Sequence, residues 1–334
     1  MNKLLRRNDP TILKEAAKGR QTKRPVLLIL FFLGIFMATS TLASIPAGIY
    51  SGIVITPKIA AYMKDTFSSM DLSSMNFGVI SDAFKEAESM IMNDPTFALI
   101  SLFCTVITTL MVLFMVTKIE KRSAYSMGFT KKNWAGMWLV GGLIGGVMFA
   151  LAVGICMLTG TMRFGGYVLG NNLVSVILFF FGFMLQGMSE EVLCRGFLMT
   201  SWGSKKSLTA AVVVSSLLFS LLHFANPGFG LIAFINIFLF GALEAILILR
   251  CDSIWLACGL HSLWNFVQGN VFGVLVSGGN YGPSIFSFES VAGGKLINGG
   301  DFGIEGGLAC TVVEVIAIIA ALIWKGRQSE KTEA

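Results

Sequence analysis

Long apolar runs recur along the chain and are separated by short polar segments. A helix needs about 20 mostly apolar residues to span the hydrocarbon of a bilayer, because its backbone polar groups must be satisfied internally. Eight stretches approach this length: residues 26–48, 96–116, 134–158, 173–196, 208–224, 231–249, 254–276 and 307–324. The fifth and sixth are divided at Asn226-Pro227-Gly228, a cluster that favours turns. The pattern predicts an all-α, polytopic membrane protein with about eight transmembrane helices.

The distribution of basic residues predicts how these segments are oriented. Lysine and arginine are enriched in the cytosolic loops of membrane proteins. They cluster on one side of the predicted topology: eight in residues 1–24, five in residues 118–132, and then Lys205, Lys206 and Arg250. The connection 51–95 is instead rich in Asp and Glu and is predicted to be external. We therefore expect a membrane domain at residues 26–325, with cytosolic segments at residues 1–25 and 326–334.

The composition favours a membrane protein and argues against other classes. The 334 residues are 54% hydrophobic and 13% charged, and the mean hydropathy of +0.75 exceeds that of soluble domains. The net charge of +6 follows from the cytosolic loops, so nucleic-acid binding is not predicted. The six cysteines show neither paired metal spacing nor a disulfide framework. We expect a multi-pass protein of the cell membrane, in a prokaryotic plasma membrane.

Three segments carry further signals. The external connection 51–95 is mildly amphipathic around residues 82–92 and is either a surface helix or a mobile loop. The first apolar run follows a basic segment and lacks a convincing cleavage site, so we interpret it as a retained helix. The third span contains glycines at small-xxx-small spacing, which predicts close contact with another helix. They are Gly141, Gly142, Gly145 and Gly146.

Charged residues at membrane depth are the first candidates for function. Glu190, Glu191 and Arg195 lie near the end of the fourth apolar stretch, in the sequence SEEVLCRGF. Such a residue costs about 2.5–3.5 kcal/mol on insertion scales and therefore requires a partner or a cavity. At four-residue spacing Glu191 and Arg195 share a helix face, which predicts a charge-assisted pair. Glu190 points about 100° away, so one carboxylate is left for another role.

The chain has two histidines, His223 and His261, and both lie in apolar stretches. Asn265 follows His261 by four residues, so its amide and the imidazole are predicted to share one helix face. A lone histidine in a membrane helix is usually a packed, hydrogen-bonded residue. Two histidines together with an amide and an unpaired glutamate indicate a site that can activate water and stabilise an oxyanion.

Three motifs in series resemble those of the CAAX-processing and bacteriocin-immunity intramembrane proteases, relatives of the type II CAAX prenyl endopeptidase. EExxxR corresponds to residues 190–195, FxxxH to residues 219–223 and HxxxN to residues 261–265. The motif core covers residues 172–276, and a looser likeness occurs at residues 125–129. Each motif alone has low specificity. The ordered set, which uses every histidine of the chain, is strongly specific.

The resemblance implies an intramembrane endopeptidase and a role for each motif residue. The implied catalytic residues are a pair that activates the attacking water and a pair that stabilises the oxyanion: Glu190 with His223, and His261 with Asn265. Glu191, Arg195 and Phe219 would support this site. The implied substrate is a membrane-associated peptide or a lipidated protein, and the implied reaction uses no metal or other cofactor.

Other functions are compatible with the same residues. Glu190, His223 and His261 form a His₂Glu ligand set for a zinc hydrolase, although the helix-local HExxH spacing is absent and direct activation by glutamate is favoured. A proton-coupled transporter also uses membrane carboxylates and histidines, but no inverted repeat is visible. A non-catalytic immunity protein is a third alternative. Chelator sensitivity would separate the zinc hydrolase from a glutamate protease.

Depth and burial give three more expectations. At about 1.5 Å per residue, upright helices would place Glu190, His223 and His261 at depths that differ by roughly 10 Å. Helix tilt, or a partly cytosolic start to the fifth helix, would then bring His223 to Glu190. Glu244 lies near the cytosolic end of its span and is expected to snorkel to the surface. Glu314 lies mid-span and is expected to hydrogen-bond to a neighbouring helix, with a proton-linked role as the alternative.

Overall fold

A computed structural model describes residues 10–68 and 77–324 of the chain. The predicted cytosolic segment 1–25 and the external connection 51–95 are therefore described in part. The predicted cytosolic tail 326–334 lies outside the described residues.

The described N-terminal half is helical. Its helices are α1 (Thr11–Ala17), α2 (Pro25–Tyr50), α3 (Thr56–Ser68), α4 (Phe77–Met92), α5 (Pro95–Cys104), α6 (Val106–Phe114) and α7 (Trp134–Leu158). A π-helical turn, Ser51–Ile55, joins α2 to α3, and a second, Met115–Ile119, extends α6. Of the two interpretations of the connection 51–95, the helical one therefore applies to its described parts.

The C-terminal half carries the sequence motifs. Its helices are α8 (Leu173–Glu191), α9 (Thr200–Lys205), α10 (Leu208–Leu221), α11 (Leu231–Cys251), α12 (Trp255–Phe266), α13 (Lys295–Asn298) and α14 (Leu308–Ile323). A π-helical segment, Val192–Met199, joins α8 to α9, and another, Val267–Val271, extends α12. Pi-helical turns occur frequently at functional sites, and both of these directly follow a motif residue or its helix.

Five helical segments within the described residues are long and apolar enough to cross a membrane. They are Pro25–Ser68, Pro95–Ile119, Trp134–Leu158, Leu173–Lys205 and Leu231–Cys251. Helices α10 and α14 are shorter apolar helices, and α12 with its extension covers the seventh predicted stretch. The structure is that of a multi-pass membrane protein, while the number of eight spans stays a prediction.

A small β-sheet corrects the all-α prediction. Strands β1 (Met162–Tyr167) and β2 (Phe286–Ser290) pair antiparallel, with a bulge between Phe164 and Gly166. Phe164 packs against the rings of both Phe286 and Phe288. The two strands are short and far apart in sequence, so neither produces a long alternating pattern that sequence analysis detects.

Close contact between α7 and α12 fixes the backbone beside one motif histidine. A side chain at Gly141 or Gly145 would overlap the backbone carbonyl of Leu256 or Leu260. The prediction of close helix contact from the glycine spacing is therefore confirmed. Because Leu260 precedes His261, this contact holds the imidazole-bearing turn of α12 against α7.

Helix α1 packs on the end of the membrane domain that carries the basic loops. Ile12 and Ala16 are fully buried. Thr11 hydrogen-bonds to the carboxylate of Asp252, and Lys205 donates to the carbonyl oxygen of the last α1 residue. The described part of the predicted basic segment is thus a docked helix.

Candidate active site

The predicted pair between Glu191 and Arg195 is confirmed. Arg195 Nη1 donates to Glu191 Oε1 at 2.8 Å, and both side chains are fully buried. Glu191 ends α8 and Arg195 lies in the π-helical segment that follows. A buried charge pair of this kind is stable only while both partners are present, because either one alone would be an uncompensated charge.

Two neighbouring residues shape the site around Arg195. The guanidinium carbon lies 4.3 Å from the centroid of the Phe219 ring, a distance at which a cation is attracted to an aromatic face. A Cβ at Gly241 would lie 2.6 Å from Arg195 Nη2 and 3.2 Å from the Phe219 ring. Gly241 therefore leaves the space that the guanidinium occupies, and Phe219 has a direct packing role within the FxxxH motif.

His261 lies between the two glutamates. Its Nδ1 is 3.0 Å from Glu191 Oε1, and its Nε2 is 3.5 Å from Glu190 Oε2. The ring also packs edge-on against Phe219 and Phe240, with centroids 5.9 and 5.1 Å away. The four-residue spacing along the sequence placed His261 next to Asn265 alone. In the structure both glutamate carboxylates also lie beside His261, because α12 packs against α8 where these residues occur.

The amide of Gln186 connects Asn265 to Glu190. Gln186 Nε2 donates to Glu190 Oε1 at 2.7 Å, and Asn265 Nδ2 donates to Gln186 Oε1 at 2.9 Å. Sequence analysis missed Gln186, although a residue four positions before Glu190 shares its helix face. That spacing is the one signal for Gln186 in the sequence, since the residue belongs to none of the three motifs.

Close approach of α8 and α12 makes these contacts possible. A Cβ at Gly187 would lie 2.8 Å from the backbone nitrogen of Ser262, so any larger residue would separate the helices. Gly187 follows Gln186, and Ser262 follows His261. The contact therefore sets the distance between the carboxylate-bearing helix and the imidazole-bearing helix.

His223 lies in the turn after α10 rather than inside a helix. Its Nδ1 is 2.9 Å from the carbonyl oxygen of Phe219. A carbonyl oxygen only accepts, so Nδ1 carries a proton, and in the neutral ring Nε2 is left as an acceptor. His223 and Glu190 line the same cavity. Within the described residues no hydrogen bond or ion pair joins them directly.

Residues from all three motifs border one cavity of 370 Å³. Glu190, His223, His261 and Asn265 all line it, which places the four predicted catalytic residues around a common space. The Glu190 side chain is 30% exposed, whereas that of Glu191 is fully buried. Glu190 is therefore the carboxylate of the pair that a substrate or water can reach.

Tyr281 supplies a phenol at the cavity wall. Burial raises the pKa of Tyr281 to about 12, and the nearby carboxylates Glu190 and Glu305 act in the same direction. The phenol is therefore neutral at physiological pH. It adds a hydrogen-bonding group to the lining without adding a charge.

Two further acids differ from expectation. Glu244 is fully buried with neither carboxylate oxygen hydrogen-bonded within the described residues, so the snorkelling prediction is wrong. Its electrostatic neighbours are Glu191 and Arg195, which places it beside the buried pair. Glu314 is 1% exposed and lines the cavity. Its Oε2 has no hydrogen-bond partner among the described residues, so the predicted hydrogen bond to a neighbouring helix is not found there.

The ligand set of the zinc alternative does not form a compact cluster. Across residues 10–68 and 77–324, no group of three or more His, Cys, Asp or Glu residues is arranged to hold a metal ion. Glu190 approaches His261, but its Oε1 is engaged by Gln186. His223 in turn is bonded to the backbone carbonyl of Phe219.

Comparison with known proteins agrees with the motifs. Residues 172–267 match a family model described as type II CAAX prenyl endopeptidase Rce1-like. The resemblance to CAAX proteases is confirmed. The matched segment begins just before α8 and ends just after α12, so it contains all three motifs and Gln186. No curated protein and no solved structure matches the chain. The match supports a protease function at a coarse level.

Proposed function

We propose that this protein is an intramembrane endopeptidase that hydrolyses a peptide bond of a membrane-associated peptide or lipidated protein. The observation that carries the proposal is a partly exposed carboxylate, Glu190, at the wall of a cavity. It is held between an amide and an imidazole, Gln186 at 2.7 Å and His261 at 3.5 Å. A fixed base beside fixed hydrogen-bonding groups is the arrangement that water-mediated acyl transfer needs.

Glu190 is the general base of the proposed reaction. Its Oε1 accepts from Gln186, whereas Oε2 is buried and has no hydrogen-bond partner among the described residues, so Oε2 is the oxygen with a free lone pair for a proton from water. The water attacks the scissile carbonyl carbon, its oxygen forms the new bond, and its proton passes to the carboxylate. When the tetrahedral intermediate collapses, the proton is returned to the leaving amine.

His223 assists by orienting the water. The Phe219 carbonyl fixes the proton on Nδ1, and the remaining ring nitrogen accepts a hydrogen bond from a water in the cavity. Glu190 and His223 need not touch each other for this role. Both need only to reach the same water, which their shared cavity allows.

Asn265 and His261 stabilise the oxyanion. One N–H of the Asn265 amide is engaged by Gln186, so the second is available for a substrate oxygen. His261 can donate from Nε2 only when that nitrogen carries a proton. Since Nδ1 faces the Glu191 carboxylate at 3.0 Å, this role requires the imidazolium, which donates from both nitrogens.

The proposed chemistry uses protein side chains alone. Activity is therefore expected to persist in excess chelator, whereas the zinc alternative requires its loss. The test is hydrolysis by the purified protein of apolar peptides reconstituted in detergent or bilayers, with products identified by mass spectrometry. Cleavage by the wild-type protein and not by Glu190→Gln supports the proposal. Equal cleavage by both proteins would exclude Glu190 as the base.

A further inference from the structure

A tyrosine outside the three motifs lines the same cavity as the proposed catalytic residues. Tyr281 belongs to the connection between the π-helical extension of α12 and β2. Its phenol lies close enough to Glu190 for that carboxylate to contribute to its raised pKa. Among the described residues no hydrogen bond engages its hydroxyl group. A hydroxyl group without a protein partner at a cavity wall is a donor that a bound molecule can use.

Two contacts hold the ring of Tyr281. Its centroid lies 5.2 Å from that of Phe183 on α8, in an edge-on arrangement at 61°. A Cβ at Gly279 would lie 2.7 Å from Cε2 of the same ring, so the backbone there passes directly against it. A tyrosine side chain has only two torsion angles, and contacts at the ring therefore also fix the position of the hydroxyl group.

The backbone of Tyr281 is tied to the helix that carries Asn265. Asn270, in the π-helical extension of α12, is fully buried and donates to the carbonyl oxygens of Tyr281 at 2.8 Å and Pro283 at 2.9 Å. A Cβ at Gly269 would lie 3.7 Å from Tyr281 Cβ. Since Gly269 follows Asn265 by four residues, Tyr281 lies about one helical turn beyond the proposed oxyanion-binding amide.

Packing against α8 places the ring on the helix face of the proposed base. Phe183, Gln186 and Glu190 follow one another at i, i+3 and i+7, a spacing that puts all three on one face. Tyr281 packs against the first of them, and of the two carboxylates that raise its pKa, Glu190 has the larger effect. Since no hydrogen bond joins Tyr281 to Glu190 in the described part of the chain, donor and base border one cavity with room for a substrate group between them.

From this geometry we infer that Tyr281 is a further catalytic residue, whose hydroxyl group donates a hydrogen bond to the scissile carbonyl oxygen as negative charge develops there. It acts as a neutral donor beside Asn265. The hydroxyl group keeps its proton throughout, because burial and the carboxylates of Glu190 and Glu305 hold the pKa of the phenol at about 12. The inference deepens the proposed endopeptidase function and rests on it.

Removal of the hydroxyl group tests this role. Tyr281→Phe keeps the ring and its contact with Phe183, so the melting temperature in detergent should not change. It should lower kcat for peptide hydrolysis at least tenfold and leave KM within threefold, because the lost bond forms in the transition state. The control is Tyr167→Phe, which alters an exposed side chain on β1 and should leave kcat within twofold. A kcat of Tyr281→Phe within threefold of wild type would overturn the role, whether or not KM changed.

Fluorinated tyrosines at position 281 give a readout that a purely structural role would not move. Ring fluorine withdraws electrons and lowers the pKa of the phenol. The neutral hydroxyl group donates, whereas the phenolate does not and would repel the oxyanion, so kcat should fall as the pH rises through the phenol pKa. The alkaline limit of kcat should therefore move to lower pH with each added fluorine. The same replacement at position 167 is the control and should leave it in place. An alkaline limit that did not move with fluorination at position 281 would contradict the inference.

The outcomes separate the role of Tyr281 from the proposed function. Cleavage by the wild-type protein together with an equally active Tyr281→Phe protein overturns the role of Tyr281 and leaves the endopeptidase proposal intact. If the wild-type protein cleaves no peptide, the proposed function fails, and the role of Tyr281 fails with it.

Discussion

Gln186 donates a hydrogen bond of 2.7 Å to the carboxylate of Glu190, four residues later on α8. A carboxylate only accepts, so the NH₂ group of Gln186 must face it and the carbonyl oxygen must face Asn265. Asn265 then presents its own NH₂ group to Gln186, at 2.9 Å. The negative charge of Glu190 thus determines, through Gln186, the orientation of the Asn265 side-chain amide.

Gln186 is therefore expected to act as a positioning residue. Gln186→Leu removes a hydrogen bond to a charged group, worth about 1.5–3 kcal/mol, and should lower kcat by about 10- to 100-fold with little change in KM. Gln186→Glu should lower kcat further, because it places a second carboxylate next to Glu190. In a double-mutant cycle, Gln186→Leu and Asn265→Ala should be strongly non-additive.

A matched control separates positioning from stability. Asn236 is also a buried amide in a membrane helix, hydrogen-bonded to the backbone carbonyls of Glu305 and Gly307. Asn236→Leu should lower the melting temperature in detergent but leave kcat within about threefold, since Asn236 does not line the cavity. If Gln186→Leu behaved in the same way, Gln186 would have only a structural role.

The pair of Glu191 and Arg195 gives a prediction with two readouts. Either Glu191→Ala or Arg195→Ala leaves its partner as an uncompensated buried charge, which should lower the free energy of unfolding by about 3–5 kcal/mol. The double replacement Glu191→Met with Arg195→Met removes both charges and should be less destabilising than either single change. Its activity should stay low, because Glu191 also faces His261 Nδ1 at 3.0 Å. Full activity in the double variant would show that His261 does not need Glu191.

Replacement of His223 tests whether the two histidines have distinct roles. His223→Ala should abolish hydrolysis with little loss of stability, because the side chain is half-buried in a turn and contacts only the backbone carbonyl and the ring of Phe219 among the described residues. Hydrolysis rate and melting temperature in detergent check both parts. An active His223→Ala protein would remove the residue from the water-activating pair and leave Glu190 as the base alone.

Asn265 is expected to act on charge that develops in the transition state. An amide is not a base, so it helps only by donating a hydrogen bond. Loss of one oxyanion donor costs about 2.7–4 kcal/mol, which corresponds to about 10²–10³ in kcat. Asn265→Asp should be at least as damaging, since a carboxylate repels the oxyanion. A raised KM with an unchanged kcat would instead make Asn265 a substrate-positioning residue.

The local features of this site were predictable from sequence and the non-local ones were not. Four-residue spacing correctly predicted the pair of Glu191 and Arg195, and small-residue spacing correctly predicted the contact through Gly141 and Gly145. The position of His261 between two carboxylates depends on how α12 packs against α8 and on the π-helical segment after Glu191. No spacing rule along one helix contains that information.

Burial of individual acids was harder to predict than the motifs. Glu244 was expected at the surface because Arg250 follows it closely, yet it faces Glu191 and Arg195 in the core. The docking of α1 and the pairing of β1 with β2 were also not predicted, since both join segments that are distant in sequence. In each case the deciding contact joins residues that are too far apart in sequence for any local pattern to reveal it.

Product analysis of the wild-type protein and a Glu190 variant decides whether this carboxylate is the base of a peptide hydrolysis. The purified wild-type protein and Glu190→Gln, matched for yield and melting temperature, are incubated with the same apolar peptides in excess chelator, and products are identified by mass spectrometry. The glutamine keeps the size of the side chain but cannot take a proton from water. We expect cleavage at a defined peptide bond by the wild-type protein and none by Glu190→Gln. Cleavage by both at similar rates, or by the wild-type protein only when metal is supplied, would contradict it.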